Sequence, residues 1–366
     1  MKNRFLWLLI LGMALFASCS DDDDKDPFKN YSADYSADKL DLKLNGMDIT
    51  GASVAFNSIN KENASVTLKG LIPGESALEI KNLVVTELSG DDYSFIGENK
   101  NDDRTVSVEG AVKSGVLSLK TGFKVTSKVV GEWQLAPVET DDSGAPLSSG
   151  LYMNVIPEAD TSTIMGLPVS MFIPMVSNIG GQILPMLLKK VEFKDNGTLI
   201  ATYLENMDEM GSGEGNFVQS SEELVRYNVK DGQIYLSINI ALLIPDMASL
   251  LIGRSEMGLE EMMNMVVNGI PLKLDINEGG IRAYVDQQMM LPFMNPIREL
   301  LIPMMQGNED MKELVPLVYD VIRLVEKSKT IELGLDLVPY VEAEQPQASM
   351  ALPRTIKETV HVLQLK

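Results

Sequence analysis

From residue 39 to residue 127 the chain consists of short runs in which apolar and polar residues alternate. Leu40, Leu42 and Leu44 have this period of two, which is typical of strands with one buried face. Turn-forming dipeptides separate the runs, and no run has helical periodicity. The pattern predicts an all-β sandwich domain over residues 39–127. The dipeptides are Asn45-Gly46, Pro73-Gly74, Gly90-Asp91 and Ser114-Gly115.

The remainder of the chain also contains alternating runs, now separated by longer segments. Turn dipeptides between two such runs are the strongest short-range signal for a β-hairpin. Residues 330–338 add a further strand, and the runs together are sufficient for an eight-stranded antiparallel barrel. We therefore expect a β-barrel domain with helical insertions over residues 128–366, in a chain that is mainly β, or α+β as a whole. The dipeptides are Asn196-Gly197, Asp231-Gly232 and Gly279-Gly280.

The insertions between these hairpins are apolar and rich in methionine. Of the 22 methionines, 18 lie between Met153 and Met311. A phrase of two large apolar residues, then Pro, then Met within two positions recurs there, first at residues 172–175. Because proline is tolerated in the first turn of a helix, each phrase predicts the start or the kink of a short helix. Residues 171–190 accordingly predict two short helical pieces, joined near residues 178–181.

Residues 161–188 carry no charge, and this length is enough to cross a bilayer. Three prolines and the Gly180-Gly181 pair argue against a span, because they would leave backbone groups without partners in lipid. Two interpretations remain open. The Met-rich helices fill the core or cap an open end of the barrel, or they form the wall of an apolar binding site, where flexible methionines adapt to irregular ligands.

The amino terminus has the layout of a secretory signal peptide. Lys2 and Arg4 precede an apolar run at residues 5–16, which is too short for a membrane span. The only cysteine, Cys19, follows Phe16-Ala17-Ser18. This resembles the lipobox of bacterial lipoproteins, with Phe16 where leucine is usual. The resemblance implies that residues 1–18 are removed and that acylated Cys19 anchors the chain in a lipid bilayer.

A run of acidic residues follows the lipobox. It resembles the export signal of Bacteroidetes lipoproteins, which implies display on the outer face of the outer membrane, towards the cell exterior. We interpret residues 19–38 as this export signal followed by a flexible tether. The residues of the export signal are Ser20, Asp21, Asp22, Asp23 and Asp24.

Charge and composition exclude several classes of function. There are 52 acidic and 31 basic residues, and the resulting net charge of −21 repels nucleic acid. One cysteine and one histidine, His361, exclude a disulfide and a Cys/His metal site within the chain. No phosphate-binding loop or dinucleotide motif is present, so we expect no cofactor and no metal. We interpret the protein as non-catalytic, although a glycan hydrolase needs only two carboxylates and is not excluded.

Gly131-Glu132-Trp133 resembles the Gly-x-Trp with which lipocalin and other calycin barrels begin their first strand. There the tryptophan closes one end of the barrel beneath a basic residue from the last strand. The resemblance implies a calycin-like barrel in which Trp133 is the plug, with Arg354 or Lys357 above it. The chain as a whole resembles uncharacterised Bacteroidetes outer-membrane lipoproteins that pair an amino-terminal β domain with such a barrel and have no assigned activity.

These observations lead to two hypotheses for function. The first is binding of an apolar or amphipathic small molecule by the Met-rich carboxy-terminal domain. The alternative is an accessory protein that docks onto an outer-membrane partner through its Met-rich helices. The candidate apolar contact residues are Met171, Phe172, Met175, Met186, Met247, Met262, Met290, Phe293, Met294, Met304 and Met305.

Overall fold

The computed structural model describes residues 30–58, 63–140, 142, 146–159, 162–206, 215–239, 242, 269–309 and 311–342. The predicted signal peptide and lipid anchor fall outside these ranges and stay predictions. The residues named from the sequence that lie outside the described residues are Cys19, Ser20, Asp21, Asp22, Asp23, Asp24, Met247, Met262, Arg354, Lys357 and His361.

The described part of the chain is mainly β, as predicted. A short 3-10 turn at Ala37–Lys39 is the one helical element described before residue 127. The strands of this region are β1 (Ala33–Ser36), β2 (Leu40–Leu44), β3 (Met47–Asp48), β4 (Ser53–Ser58), β5 (Ala64–Ile72), β6 (Glu75–Lys81), β7 (Val84–Glu87), β8 (Tyr93–Lys100), β9 (Arg104–Lys113) and β10 (Val116–Val125).

These strands form two sheets that face each other across one core. The four-stranded sheet has the order β1-β4-β5-β6, and the six-stranded sheet has the order β3-β2-β10-β9-β8-β7. All described pairs in them are antiparallel except the parallel pair of β2 and β10. The ring of Phe56, on the first sheet, lies 4.9 Å from the ring of Tyr93 and 4.8 Å from that of Phe95, both on the second. Alternating burial along each strand therefore reflects this sheet-on-sheet contact.

The carboxy-terminal region adds a large sheet, two small hairpins and several helices. Its helices are α1 (Val169–Leu187), α2 (Gln287–Pro296), α3 (Ile302–Gln306) and α4 (Val315–Lys327), with a π-helical turn at Ile297–Leu301 and a 3-10 turn at Lys312–Leu314. Its strands are β11 (Gly131–Leu135), β12 (Glu139–Thr140), β13 (Pro146–Ser148), β14 (Leu151–Pro157), β15 (Thr163–Ile164), β16 (Leu167–Pro168), β17 (Leu188–Phe193), β18 (Leu199–Leu204), β19 (Phe217–Gln219), β20 (Val225–Lys230), β21 (Gln233–Ile238), β22 (Ile270–Ile276), β23 (Ile281–Asp286) and β24 (Ser328–Pro339).

The large sheet is ten-stranded and curled into a half-barrel. Its order is β19-β18-β17-β11-β24-β23-β22-β21-β20, and β14 pairs with β24 beside β11. β17 and β20 are far apart in this order, yet the rings of Phe193 and Tyr227 meet edge-on at 5.0 Å. The backbone N–H of Tyr227 donates to the carbonyl of Gly197 at 2.7 Å, and Thr198 pairs with Arg226. The curl therefore brings strands from opposite parts of the sheet into contact at one end.

Residues with positive φ form the turns where hairpins were predicted. Asn45 and Gly46 have φ of 51° and 91°, and Asp231 and Gly232 have φ of 52° and 73°. Consecutive positive φ values match the twist of the flanking strands, and Asn, Asp and Gly adopt them at little cost. The turns predicted at residues 73–74, 90–91 and 114–115 and the hairpins predicted at residues 196–197 and 279–280 are confirmed as well.

The prediction of two short helical pieces in residues 171–190 is wrong. α1 is one continuous helix of 19 residues, with Pro174 and Pro185 inside it. The two glycines near its middle allow close packing instead of a break: a Cβ on Gly181 would lie 2.6 Å from Cβ of Ser149. By length and composition α1 could cross a bilayer. The side of α1 that carries Gly181 packs against Ser149, just before β14. This contact favours a continuous helix over a break at the two glycines.

One apolar core extends through both parts of the chain. It contains Phe123 of β10 together with Phe193, Tyr227 and Leu337 of the ten-stranded sheet. The tips of two hairpins, one from each region, lie in the contact between the two parts of the chain. A Cβ on Gly74 would lie 2.2 Å from the ring of Tyr235, and one on Gly197 would lie 2.3 Å from the ring of Phe123. The two β regions are therefore packed directly against each other.

Candidate functional site

The concave side of the curled sheet is lined by apolar side chains, which we call the inner face. The cross-strand register places Leu335 of β24 between Ala283 of β23 and Leu151 of β14. Since residues opposite each other in a ladder share a face, the members of this face can be read from the register. The inner face includes Leu135, Leu151, Met153, Val155, Val191, Phe193, Tyr227, Val229, Ile234, Leu236, Leu272, Leu274, Ile281, Ala283, Val285, Ile331, Leu333, Leu335 and Leu337.

The inner face is fully packed at the end next to the amino-terminal region. Phe193, Tyr227, Ile281 and Leu337 are all buried there and belong to the shared core. Tyr227 also donates from its hydroxyl to the carbonyl of Lys194 at 2.8 Å. Buried aromatic residues with satisfied polar groups are typical of a structural core. This end of the half-barrel is accordingly closed.

Further along the strands the same face is only half buried. Leu151, Met153, Ala283, Val285 and Leu335 all keep intermediate exposure, although they point to the inside of the curl. Concave apolar surface that stays accessible is the usual feature of sites for apolar small molecules. We call this part of the inner face the open half.

Two groups of helices flank the open half. α1 contacts it through Gly180, where an added Cβ would lie 2.6 Å from Cδ2 of Leu151. On the other side, Val155 and Leu333 pack against a cluster formed by α2, α3 and α4. The helices thus border the apolar surface, while the strands provide its floor.

Trp133 lies at the closed end. It pairs with Val191 on one side and Pro339 on the other, and it packs against the shared core. Its indole Nε1 donates to the carbonyl of Val129 at 2.8 Å, which satisfies the one polar group of the ring. The basic partner predicted for a calycin plug lies outside the described residues.

Some of the candidate methionines are core residues of the α2–α4 cluster. Met294 and Met305 are buried there with Ile302 and Ile322. Met290 and Phe293 pack against the same cluster as partly buried residues. These four candidates hold the helices together, so they belong to the core-filling interpretation.

Other candidates are on the surface. Met171, Met175 and Met304 are 63%, 42% and 57% exposed, and Phe172 is intermediate. Met186 packs beside Leu204 in a small separate cluster. The described candidates therefore divide among a core, a surface and a minor cluster. They do not line one site. Met153, which lies on the open half and best fits the binding hypothesis, was not among the candidate residues.

The opposite face of the sheet, which we call the outer face, carries a polar network. Nε and Nη2 of Arg282 donate to both carboxylate oxygens of Asp336, at 2.6 and 2.9 Å. The guanidinium also lies 3.7 Å from the ring centre of Tyr152. The hydroxyl of Tyr152 donates to Glu332 at 2.6 Å, and Nδ2 of Asn154 donates to the same oxygen at 2.9 Å. Bidentate and charge-assisted bonds of this kind are strong and geometrically specific.

Two carboxylates on this face, Glu332 and Asp286, have a lowered pKa. The hydrogen bonds from Tyr152 and Asn154 lower the pKa of Glu332 below its usual value. Burial would raise the pKa of Asp286, but its bonds with Lys273 and the N–H of Met289 outweigh that effect and lower it. A glycoside hydrolase needs one carboxyl group whose pKa is raised, so that it can donate a proton near neutral pH. Neither group has that property.

Two further features bear on ligand and metal binding. Shallow depressions of about 300 and 520 Å³ lie on the six-stranded sheet, where both include Ile96, Glu109 and Lys120, and neither includes a candidate methionine. Within the described ranges, no group of three His, Cys, Asp or Glu side chains is arranged to hold a metal ion. The open half of the inner face is thus the apolar feature that best matches the sequence hypothesis.

No known protein family matches the chain, and neither a curated protein nor a solved structure is detectably similar to it. The assignment of a site accordingly depends on the geometry alone.

Sequence reasoning missed the outer-face network. Its members come from β14, β23 and β24, and Tyr152 and Glu332 are 180 positions apart. The one available signal was that the alternate positions Arg282, Tyr284 and Asp286 of β23 are polar. That signal marks a solvent-facing side of a strand but does not identify the cross-strand partners.

Proposed function

We propose that this protein is a lipid-anchored lipoprotein on the outer face of the outer membrane, with a calycin-like barrel that binds an apolar or amphipathic small molecule without catalysis. The observation that carries the proposal is the open half of the inner face, which stays accessible although it is apolar and concave. The lipobox at Cys19 and the acidic run after it support the location. The lowered pKa values of Glu332 and Asp286 make these two groups poor proton donors near neutral pH.

The proposal is tested by titrating the full chain with the neutral fluorescent probe N-phenyl-1-naphthylamine. Met153→Asp places a charge on the open half, whereas Ile156→Asp places the same charge on β14 at a position that is 48% exposed. Because a buried carboxylate next to an apolar ligand is strongly unfavourable, we expect Met153→Asp to raise Kd at least about tenfold. We expect Ile156→Asp to change Kd less than about twofold, and both variants to keep the wild-type circular dichroism.

Three outcomes would contradict binding on the inner face. They are absence of saturable probe binding by the wild type, equal effects of the two variants, and no co-purifying apolar molecule in native mass spectra of protein from its own host. Since Met153 has intermediate exposure, Met153→Gln provides a milder second variant if the aspartate variant fails to fold. It should raise Kd in the same direction by a smaller factor.

The second candidate function is docking onto an outer-membrane protein. It is supported by the exposed Met171 and Met175, which lie one helical turn apart on α1. Adjacent exposed apolar residues are typical of interaction surfaces. The two functions differ in what they predict for Met153→Asp. If the protein acts by docking, this substitution should leave recognition of the protein partner unchanged.

A further inference from the structure

A short hairpin before α1 holds two large apolar side chains in solvent. Met165 and Leu167 lie at the tip between β15 and β16, and they are 62% and 39% exposed. Ile164 and Val169, beside them in the chain, are buried. The backbone N–H of Met165 donates to Oδ2 of Asp320 on α4 at 2.7 Å. The exposed position of the tip is therefore fixed by packing on both sides and by a hydrogen bond.

The backbone conformation of the tip does not suit a methionine. Met165 and Gly166 have φ of 51° and 78°. Two consecutive positive φ values occur also at Asn45-Gly46 and Asp231-Gly232, where the residue types suit the conformation. A methionine with positive φ is unfavourable, and its exposure to water gives no compensation within the fold. This cost indicates that the side chain of Met165 has a role in a contact outside the fold.

The hairpin leads directly into α1, and the exposed side of this helix continues the apolar surface. Met171 and Met175 are 63% and 42% exposed, and Asn178 and Gln182 follow on the same side at helical intervals. The two polar side chains bond to each other, since Nε2 of Gln182 donates to Oδ1 of Asn178 at 2.7 Å. Gly180, which packs against β14, lies on the opposite side of the helix.

The surroundings of these residues favour contact with lipid over contact with a protein. We define the 165–175 patch as Met165, Leu167, Met171 and Met175. Residues 161–188 carry no charge, in a chain with 52 acidic and 31 basic residues, whereas a protein interface has a polar rim. α1 has the length and composition of a membrane span, yet only 11% of an 18-residue stretch of it is buried. Because α1 packs on β14, it can lie against a bilayer but cannot cross one.

We propose that the 165–175 patch is a membrane-contact surface, which places its four side chains in the interface of a lipid bilayer. This contact extends the proposed function, and it rests on the lipid anchor proposed there to bring the patch to the membrane. Cys19 and Tyr31, which is buried in the amino-terminal region, are twelve positions apart and span at most about 40 Å. Acyl chains and an apolar surface on one molecule together bind a membrane much more stably than either alone.

The surface is tested by flotation with vesicles of phosphatidylcholine. The protein is the mature chain, residues 19–366, with Cys19→Ser, so that neither an acyl group nor the apolar run of residues 1–18 contributes. Since a charge in the apolar part of a bilayer is costly, we expect Met165→Asp combined with Met171→Asp to lower the partition coefficient at least about tenfold. Val84→Asp is the matched control, because Val84 is 61% exposed on β7 of the other region. It should change the partition coefficient less than about twofold.

The depth of insertion gives a second, independent measurement. The fluorescence of Met165→Trp should shift to the blue and be quenched by brominated phosphatidylcholine, whereas that of Val84→Trp should not. Trp133 packs against the core and gives a constant background. Because the patch is uncharged, binding to phosphatidylcholine should not depend on salt, and the net charge of −21 should weaken binding to phosphatidylglycerol.

Met165→Asn separates membrane contact from a structural role. Asparagine adopts positive φ more readily, so this variant should raise the melting temperature while it weakens vesicle binding. The proposal is overturned if the wild type binds no vesicles, including the case in which it binds an outer-membrane protein instead. It is also overturned if Val84→Asp weakens binding as much as the patch variants do, or if Met165→Trp is not quenched. Failure of the lipid anchor is seen separately, as the absence of an acyl group in mass spectra of protein from its own host.

Discussion

At the scale of single residues, the outer-face network stabilises the sheet through hydrogen bonds to ionised groups. Glu332 accepts from Tyr152 and Asn154, and both donors lie on the neighbouring strand β14. Such bonds are stronger than neutral ones and fix the register of the strands they join. Asn154 and Glu332 are directly opposite each other in that register.

This network makes the free energy of unfolding depend on pH in the acidic range. The pKa of Glu332 is lowered in the folded state, so its stabilisation is complete above its ordinary value near 4.5 and is lost as pH falls through the lowered pKa. Glu332→Gln should cost about 1 kcal/mol at pH 7 and reduce the loss of stability between pH 5 and pH 3. Urea unfolding at several pH values measures both effects. Glu278→Gln, in the exposed β22–β23 turn, is the control; an identical pH profile for the two variants would refute the assignment.

At the scale of elements, α1 depends on the two glycines that face the strands. A Cβ on Gly181 would lie 2.6 and 2.9 Å from Cβ and Oγ of Ser149, which are attached close to the backbone. A Cβ on Gly180 would approach within 3 Å only Cδ2 of Leu151, at the far end of a flexible side chain. The neighbouring glycines are therefore not equivalent, although both are in the interior of the same helix.

The two positions predict different responses to alanine. Alanine in place of a helical glycine normally gains about 1 kcal/mol. At Gly181 we expect a net loss of about 1–3 kcal/mol, because the helix must move away from Ser149. At Gly180 we expect a change close to zero, since Leu151 can rotate. Guanidinium unfolding with unchanged m values measures the difference, and a stabilising Gly181→Ala would show that α1 is not packed as described.

At the scale of the whole molecule, a buried ion pair of the amino-terminal region lies at the contact between the two β regions, where Asn228 joins them. Arg104 of β9 donates from Nε to Glu75 at 2.7 Å, and both side chains are almost completely buried. Asn228 of β20 donates to the carbonyl of Pro73 at 3.0 Å, next to Glu75. Because this contact and the apolar core both extend across residues 127–128, the two regions should unfold together.

Breaking the ion pair between Arg104 and Glu75 should be costly. Glu75→Gln leaves the buried Arg104 without its counter-charge, and we expect a loss of about 3 kcal/mol. Glu79→Gln, on the same strand, breaks only the exposed pair with Lys81 and should cost less than about 1 kcal/mol. Differential scanning calorimetry provides the measurement and should give one transition for the wild type. Two separate transitions, or equal losses for the two variants, would contradict this coupling.

The predictions that are confirmed depend on residues close together in the chain. Alternation along Leu40, Leu42 and Leu44 indicates a strand because side chains change face at every residue. Asp231-Gly232 indicates a turn because these two residue types adopt positive φ readily. Both signals are local, so they predicted the hairpins and the mainly β fold without knowledge of any partner.

The predictions that failed, and the features that were missed, depend on contacts between distant residues. Two prolines suggested that α1 breaks, but packing of Gly181 against Ser149 favours one helix. Met294 and Met171 have the same chemistry in similar apolar segments, yet one is 7% and the other 63% exposed. Only the arrangement of the elements in space decides which of them is core.

Local patterning along the chain thus determined the strands and the turns, and composition determined the net acidity. The tertiary structure alone decided that the inner face is half open and that the outer face pairs Arg282 with Asp336. The physical reason is that residue type and periodicity act between neighbours in sequence. Exposure and ion pairing depend on register and curl, which bring together residues from strands far apart in the chain.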